Sequence, residues 1–170
     1  MDQTDSPAKS SVAFVEIVLA VLMTAVVVAV GVSAYRTFSI RSEVDDTLSA
    51  TSALRTAIAE FYTHERRTPA DEHEAGLSAA VTSAARRFHG SLRIVAGRID
   101  LVYGAGADRA LVGRLLSLTP YETAALEIFW ICGNRIPGPG LEPLGFSAGG
   151  PQAEQRATTI EARYLPAECR

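Results

Sequence analysis

The sequence predicts an α+β fold, in which a long N-terminal helix packs on an antiparallel sheet of about four strands and a disulfide closes a C-terminal loop. Three observations support this prediction. An apolar run at the start of the chain passes directly into a one-sided helical pattern. After Gly90 the hydrophobic period falls from about 3.6 to 2, which is typical of strands. The only two cysteines, Cys132 and Cys169, both lie in the strand-rich half.

The composition suits one small domain attached to a membrane segment. The chain has 170 residues, 48% of them hydrophobic, and a mean hydropathy of +0.14. Without the apolar run about 130 residues are left, which is enough for a single domain. The formal net charge of -3 argues against a protein that binds nucleic acid through its overall charge.

Residues 12–34 form the apolar run, which only Glu16, Thr24 and Ser33 interrupt. At about 1.5 Å per residue, a helix of this length crosses a hydrocarbon core of about 30 Å. The run is too long for the apolar core of a secretory signal. It therefore predicts one transmembrane segment that is retained.

Beyond the membrane segment the pattern becomes one-sided, with apolar residues mostly three and four apart and charged residues between them. No Pro or Gly lies between Val32 and Tyr62. We therefore expect one continuous helix from Val12 to about Tyr62, whose second half buries a stripe against the domain. The stripe consists of Phe38, Ile40, Val44, Leu48, Leu54, Ile58, Phe61 and Tyr62.

The rest of the chain predicts a connector followed by strands. Residues 65–90 should be mostly loop with little to pack, although residues 76–85 could form a short helix. Gly97 supplies the turn of a hairpin. Residues 133–150 are rich in Gly and Pro and predict a long loop. Strands are predicted at residues 92–95, 99–103, 111–119, 126–132 and 158–164.

The two cysteines indicate the compartment. A lone pair in a small exported domain is most simply a disulfide made under oxidising conditions, which places the C-terminal part in the periplasm or outside the cell. The alternative is a pair of free, buried thiols. Charges flanking the span are weaker evidence, because Arg36 and Arg41 follow it whereas only Lys9 precedes it.

The N-terminal helix resembles that of type IV pilins and pseudopilins. A short polar leader, residues 1–11, precedes an apolar run that has a single Glu near its start. Glu16 and Tyr35 stand 19 residues apart, as the Glu and the exit Tyr do in that family. Phe38 and Arg41 fall where the family places an aromatic and a basic residue.

The second half is similar to type IVa pilins in the order of its short motifs. The resemblance implies a pilin-like fold whose terminal loop is closed by Cys132 and Cys169. It also implies a leader at 1–11, a transmembrane half-helix at 12–35, an ectodomain half-helix at 36–64, a connector at 65–90, and the sheet with its C-terminal region at 91–170. The motifs are Pro69 with Ala75-Gly76, Gly97-Arg98-Ile99, Leu116 to Pro120, Trp130 to Cys132, and Tyr164 to Cys169.

The leader departs from the family at its cleavage site. The prepilin peptidase cuts after a Gly, and this chain has Ser11 there. Either Ser11 is tolerated and cut slowly, which makes Val12 the first mature residue, or the leader stays on. Ser33 also replaces a Pro found in many pilins, so the membrane half should run straighter.

Glu16 is the predicted assembly residue. The resemblance implies that it pairs with the free N-terminal amine of a neighbouring subunit, an amine that exists only if the leader is removed. A carboxylate in hydrocarbon costs on the order of 3 kcal/mol, so it should have a function there. The alternative is that Glu16, only four residues inside the span, reaches the headgroups or is protonated.

We find no motif for a catalytic site, a metal site or a cofactor, and we predict that the protein is not an enzyme. The histidines are scattered, and no Cys or His spacing suits a metal. Ser147 lies in a Gly-Xaa-Ser-Xaa-Gly pattern but lacks the strand and helix of a nucleophile elbow. Asp71, Glu72 and Glu74 could bind calcium, as in some pseudopilins, but their position in the chain is wrong.

Four arginines, Arg86, Arg87, Arg93 and Arg98, cluster at the entry to the sheet. They could contact DNA phosphates, as pilins involved in DNA uptake are thought to do. The simpler interpretation is that they are solvated side chains of an edge hairpin.

The resemblance implies a structural or accessory subunit of a type IV pilus, which would serve adhesion, twitching motility or DNA uptake. Its expected location is the inner membrane of a Gram-negative bacterium with a periplasmic ectodomain, or the cell surface once processed and assembled. The expected partners are other pilin subunits, the pilus assembly platform and the prepilin peptidase. The competing predictions are an unprocessed accessory protein of the inner membrane and a pseudopilin of a type II secretion system, and the cysteine pair favours the pilus.

Overall fold

The computed structural model describes residues 7–148 and 151–170, and their side chains from residue 14 onward. The chain divides into two units, Met1–Phe38 and Ser39–Arg170. The helices are α1 (Pro7–Ala50), α2 (Ser52–Glu65) and α3 (Ser78–Arg87). The strands are β1 (Ser91–Val95), β2 (Arg98–Val102), β3 (Leu115–Glu122), β4 (Ile128–Cys132) and β5 (Glu142–Pro143), and short 3-10 turns lie at Ala162–Tyr164 and Ala167–Cys169.

The first unit is the apolar part of α1. Its large side chains from residue 14 to 32 are exposed on every side; Phe14 is 67% exposed and Val27 70% exposed. The hydroxyl of Thr24 donates to the carbonyl of Ala20 at 2.8 Å, which satisfies this polar group inside the helix. Among the described residues this is the one helix long and apolar enough to cross a membrane.

The long N-terminal helix is confirmed, with one interruption at Thr51. The N–H and the hydroxyl of Thr51 both donate to the carbonyl of Leu48, at 3.2 and 2.7 Å. The N–H therefore bonds to the third residue before it instead of the fourth, which accepts the bond in a regular α-helix. The helix continues beyond this residue to Glu65, so Thr51 is a local irregularity within the predicted helix. A Thr can interrupt a helix without Pro or Gly, because its hydroxyl competes for the same backbone carbonyls.

The sheet is antiparallel throughout, in the order β1-β2-β3-β4, and the short β5 also pairs with β3. This confirms the predicted sheet of about four strands. The β1–β2 hairpin is confirmed as well, with Val95 opposite Arg98. Ala96 and Gly97 both have positive φ, 49° and 78°, as the right-handed twist of a two-residue hairpin requires.

Two strands differ from their predicted bounds by more than one residue. β3 begins at Leu115, four residues after its predicted start, passes through Pro120 and ends at Glu122. Pro120 is tolerated because β2 stops pairing at Leu118, and beyond it the N–H of Leu144 donates to the Pro120 carbonyl at 3.0 Å. β4 begins two residues late, because Leu126 has a φ of 63° in the turn before it.

The predicted last strand at residues 158–164 is wrong. The chain there is extended without a ladder and then forms the 3-10 turn Ala162–Tyr164. Thr158 donates its hydroxyl to the carbonyl of Leu115 at 2.5 Å, and the hydroxyl of Thr159 accepts from the Leu115 N–H at 2.7 Å. These two hydroxyl bonds and one backbone bond, from the Thr159 N–H to the Leu115 carbonyl at 3.0 Å, hold the segment in place of a ladder.

The expectation that the connector has little to pack is also wrong. Val81, Ala84 and Phe88 are buried at a helical spacing of three and four, so α3 contributes a face to the core. The ring of Phe88 meets that of Tyr103 edge to face, with centroids 5.8 Å apart. The second unit therefore has three helices around its sheet.

One hydrophobic core joins the helices to the inner face of the sheet. Most of the predicted stripe is buried, including Val44 and Ile58 at 0% exposure. Phe38 is the exception, since it is 69% exposed and belongs to the first unit. The main core residues of the helices and sheet are Ile40, Val44, Leu54, Ile58, Tyr62, Leu92, Ile94, Ile99, Leu101, Leu116 and Leu118.

Candidate functional site

The predicted assembly residues lie in α1. Ser11 and Val12 fall within its bounds, but their side chains are outside the described part of the chain. Glu16 is exposed, and its carboxylate takes part in none of the ion pairs among the described residues. It lies in the first turns of an apolar surface that only lipid or other chains can cover.

The predicted disulfide is present. Cys132 and Cys169 are bonded, with their Cα atoms 4.6 Å apart, so the alternative of two free thiols is wrong. The bond joins the end of β4 to the turn Ala167–Cys169. Gly133 follows in left-handed conformation, with a φ of 65°, and a Cβ there would lie 2.6 Å from the Cys169 carbonyl oxygen. Only Gly therefore fits at position 133, next to the disulfide.

A buried ion cluster fastens the C-terminal segment to the outer face of the sheet. Asp100 accepts two bonds from Arg98, at 2.9 and 3.0 Å, and one from Arg156 at 2.9 Å. Arg98 also donates to the carbonyl of Glu154 at 2.6 Å. Burial alone would raise the pKa of Asp100, but the hydrogen bonds and charges of the two arginines hold it below its ordinary value of 3.8.

Replacing Asp100 with Asn should lower the free energy of unfolding by about 2 kcal/mol at pH 7, because two arginines lose their shared partner and one of them is largely buried. Since the folded-state pKa lies below 3.8, the ionic stabilisation is complete above that pH and disappears as the pH falls through the folded-state pKa. Urea unfolding of the detergent-solubilised chain at pH 7 and pH 3 measures both effects.

Glu161→Gln is the matched control for this prediction. It removes the acid of the exposed Arg163–Glu161 pair, whose side chains are 61% and 52% exposed, and should change stability by less than about 1 kcal/mol. An Asp100→Asn variant as stable as the control at pH 7 would contradict the role given to the buried cluster.

A second buried polar group joins α2 to the end of β3. The hydroxyl of Tyr62 donates to one carboxylate oxygen of Glu122 at 2.6 Å, and the N–H of Ser147 donates to the other at 2.9 Å. Burial, together with the hydrogen bond to Glu122 and its charge, raises the pKa of Tyr62 to about 12. Ser147 lies in a turn after the two-residue β5, which is not the strand-to-helix geometry of a nucleophile elbow.

The four arginines of the proposed DNA patch are not equivalent. Arg86, Arg87 and Arg93 are exposed. The side chain of Arg98 is only 11% exposed and is bonded to Asp100, so it is much less accessible to a phosphate than the other three. Acidic side chains lie near one of the remaining three, since Glu43 and Asp46 line a cavity of about 620 Å³ together with Arg87.

The acidic stretch of the connector stabilises its own loop. Asp71 accepts the N–H groups of His73 and Glu74, both at 2.9 Å, and Glu74 pairs with Arg67. Within residues 7–148 and 151–170, no group of three or more His, Cys, Asp or Glu side chains could hold a metal ion.

Sequence reasoning missed the partners of two buried acids. Asp100 and Arg156 lie 56 residues apart, and Tyr62 and Glu122 lie 60 apart. A local signal for Asp100 was present, because Arg98 and Asp100 lie two apart on one strand and therefore share its outer face, where they pair. The second partner, Arg156, left no such signal.

Comparison with known proteins gives two results. A profile of the family described as pilin, a bacterial filament protein, matches residues 40–170. A type IV major pilin protein PilE1 of Neisseria gonorrhoeae is 19% identical over 157 residues, which cover 92% of this chain and 84% of that protein. Two further PilE1 proteins of the same species are 18% and 20% identical, with 92% of this chain and 90% and 71% of those proteins covered.

Proposed function

Because the chain belongs to the pilin family of bacterial filament proteins, we propose that it is a membrane-anchored subunit of a type IV pilus. The observation that supports this most directly is the part of α1 from residue 14 to 32, whose apolar side chains are exposed all round. Such a surface needs a cover. Lipid covers it before assembly, and the helices of neighbouring subunits cover it in the filament.

Assembly depends in this proposal on the start of α1. Cleavage after Ser11 leaves Val12 as the first residue and creates an amine close to the level of Glu16 in the next subunit. The carboxylate then gains an ionic partner in an environment from which water is excluded, where such a pair is strong. The partners in this proposal are other pilin subunits, the assembly platform and the prepilin peptidase. The filament would function in adhesion, twitching motility or DNA uptake.

A second candidate is an accessory protein that keeps its leader in the inner membrane. The residue at the cleavage position favours it, because Ser11 replaces the Gly that the peptidase reads. A pseudopilin of a type II secretion system is a weaker candidate, because the Cys132–Cys169 bridge is typical of pilus subunits.

Fractionation of the native cells separates these functions. Surface filaments are sheared off, and the chain is measured by antibody in the sheared and membrane fractions of wild-type cells and of cells lacking the assembly platform. We expect the chain in the sheared fraction of wild-type cells only. A chain confined to the inner membrane in both strains would identify the accessory protein, and dependence on the secretion system would identify the pseudopilin.

A further inference from the structure

A polar cleft of about 580 Å³ opens between the helices of the second unit and the inner side of β4. Arginines from three separate segments line it: Arg41 in α1, Arg55 in α2 and Arg135 after β4. Trp130 forms part of its wall. We call this feature the arginine cleft. The bonded Cys132 and Cys169 are both part of the cleft lining, so the disulfide helps to hold the cleft in shape.

The cleft lies at the β4 edge of the sheet. β4 is an edge strand of the sheet, and its Cys132 pairs with Leu118 of β3, which also lines the cleft. Ile128 and Trp130 point to the same side of the sheet as Cys132 but stay half-buried, whereas Leu118 is 2% exposed. An indole face is therefore left accessible next to the arginines.

The arginines of the cleft have unmet hydrogen-bonding capacity. The Nε atoms of Arg41 and Arg55 are buried without a hydrogen-bond partner in the described part of the chain. Arg41 has one bond elsewhere, from its terminal nitrogen to the carbonyl of Arg163 at 2.8 Å. Because these two Nε atoms are inaccessible to solvent, an anion in the cleft is bound instead by the terminal nitrogens of the guanidinium groups.

The carboxylates that line the cleft form no ion pairs with its arginines among the described residues. Asp45 and Glu168 line the cleft, but no ion pair within 4 Å joins either of them to an arginine among the described residues. Three guanidinium groups against two carboxylates leave the cleft with a positive charge. The cleft therefore combines a surplus of guanidinium groups with the side chain of Trp130.

We propose that the arginine cleft binds a small organic oxyanion, a carboxylate or a phosphate monoester, whose body lies against Trp130. The forked donors of arginine match the oxygens of either group. The indole provides an apolar face for the body. The volume is within the usual range for small-molecule sites and exceeds what a bare anion fills. Binding is independent of filament assembly, so it can be tested on unassembled protein.

Trp130 is the only tryptophan of the chain, so its fluorescence reports on the cleft alone. The full-length protein in a non-ionic detergent is titrated with phenyl phosphate and with benzoate, while sodium chloride keeps the ionic strength constant. We expect a saturable change with at least one of the two. Inorganic phosphate, which has no body to contact the indole, should bind at least roughly tenfold more weakly than phenyl phosphate.

Variants with opposite expected effects on binding affinity make the test specific. Arg55→Gln and Arg135→Gln should each weaken binding roughly tenfold, because each removes a charged donor. Glu168→Gln should tighten binding, because it removes a competing carboxylate from the cleft. Arg93→Gln is the matched control, since Arg93 is exposed on β1 and absent from the cleft lining, and it should bind like the wild type.

Three results would overturn the proposal: no saturable change with either probe, a change that sodium chloride alone reproduces, or equal affinity in the wild type and Arg135→Gln. Arg135 is exposed after β4, so its variant should fold even if Arg55→Gln does not. Far-ultraviolet circular dichroism checks folding in each case. Equal binding of inorganic phosphate and phenyl phosphate would contradict the role of Trp130.

Discussion

Replacing Glu16 with Gln should abolish surface filaments while the protein stays in the membrane at its normal level. Gln keeps the size of the side chain but removes the charge that, in the proposed filament, pairs with the amine of the next subunit. A pair worth about 3 kcal/mol at each subunit contact corresponds to more than a hundredfold in association. Membrane insertion should not suffer, because a neutral side chain is cheaper in hydrocarbon than a carboxylate.

Electron microscopy and quantification of sheared filaments measure the outcome, with immunoblots of membranes as the insertion control. Glu60→Gln is the matched variant, since Glu60 is an exposed glutamate of α2 and should leave filaments unchanged. Normal filaments from Glu16→Gln would mean that Glu16 only reaches the headgroups or is protonated. This result would contradict the proposed role of Glu16 in assembly.

Removing the Cys132–Cys169 bond should lower the free energy of unfolding by about 4 kcal/mol, the chain-entropy value for a loop closed across a sequence separation of 37 residues. For a chain of this size, that corresponds to a fall of about 10 °C in the melting temperature. The loop carries Arg156 and Thr158, which hold the C-terminal segment on the sheet. That segment should therefore exchange its amide hydrogens faster.

A Cys132→Ala, Cys169→Ala double variant and the wild type are compared by thermal unfolding, each with and without reductant. Reductant should destabilise the wild type and leave the double variant unchanged, which controls for effects of the reductant itself. Equal melting temperatures of oxidised wild type and double variant would show that hydrogen bonds and packing alone hold the C-terminal region.

Features that depend on near neighbours could be predicted from the sequence. The β1–β2 hairpin follows from alternating Leu92 and Ile94 and from Gly97 at the turn, and the buried helix stripe follows from residues such as Val44 and Ile58 at helical spacings. Each of these patterns is complete within a few residues. The packing of α3 was also visible in principle, at Val81, Ala84 and Phe88, but the charged stretch before it obscured the pattern.

The misplaced boundaries occur where side chains replace backbone bonds. Thr51 interrupts the long helix, and Thr158 and Thr159 hold the last segment without a strand. Pro120 continues β3 because its missing N–H faces the place where β2 has already stopped pairing. A single sequence does not show which Thr or Pro will have such a partner, because the partner is set by the fold.

Contacts between distant parts of the chain left no signal. The arginine cleft collects Arg41, Arg55 and Arg135 from three segments, and Asp100 meets Arg156 only after the C-terminal segment returns to the sheet. Arg98 and Asp100 lie only two residues apart on β2, so this half of the ion cluster was within reach of the sequence, whereas the Arg156 half was not. Proximity in sequence predicted the elements but not the charged partners that other segments supply.

The most direct test of the filament-subunit proposal is the intact mass and N-terminal sequence of the chain recovered from native membranes, with the prepilin peptidase present and absent. We expect a chain that begins at Val12 with a methylated amine when the peptidase is present, and one that begins at Met1 when it is absent. A chain that begins at Met1 in both cases would leave Glu16 without its partner and would contradict assembly as a filament subunit.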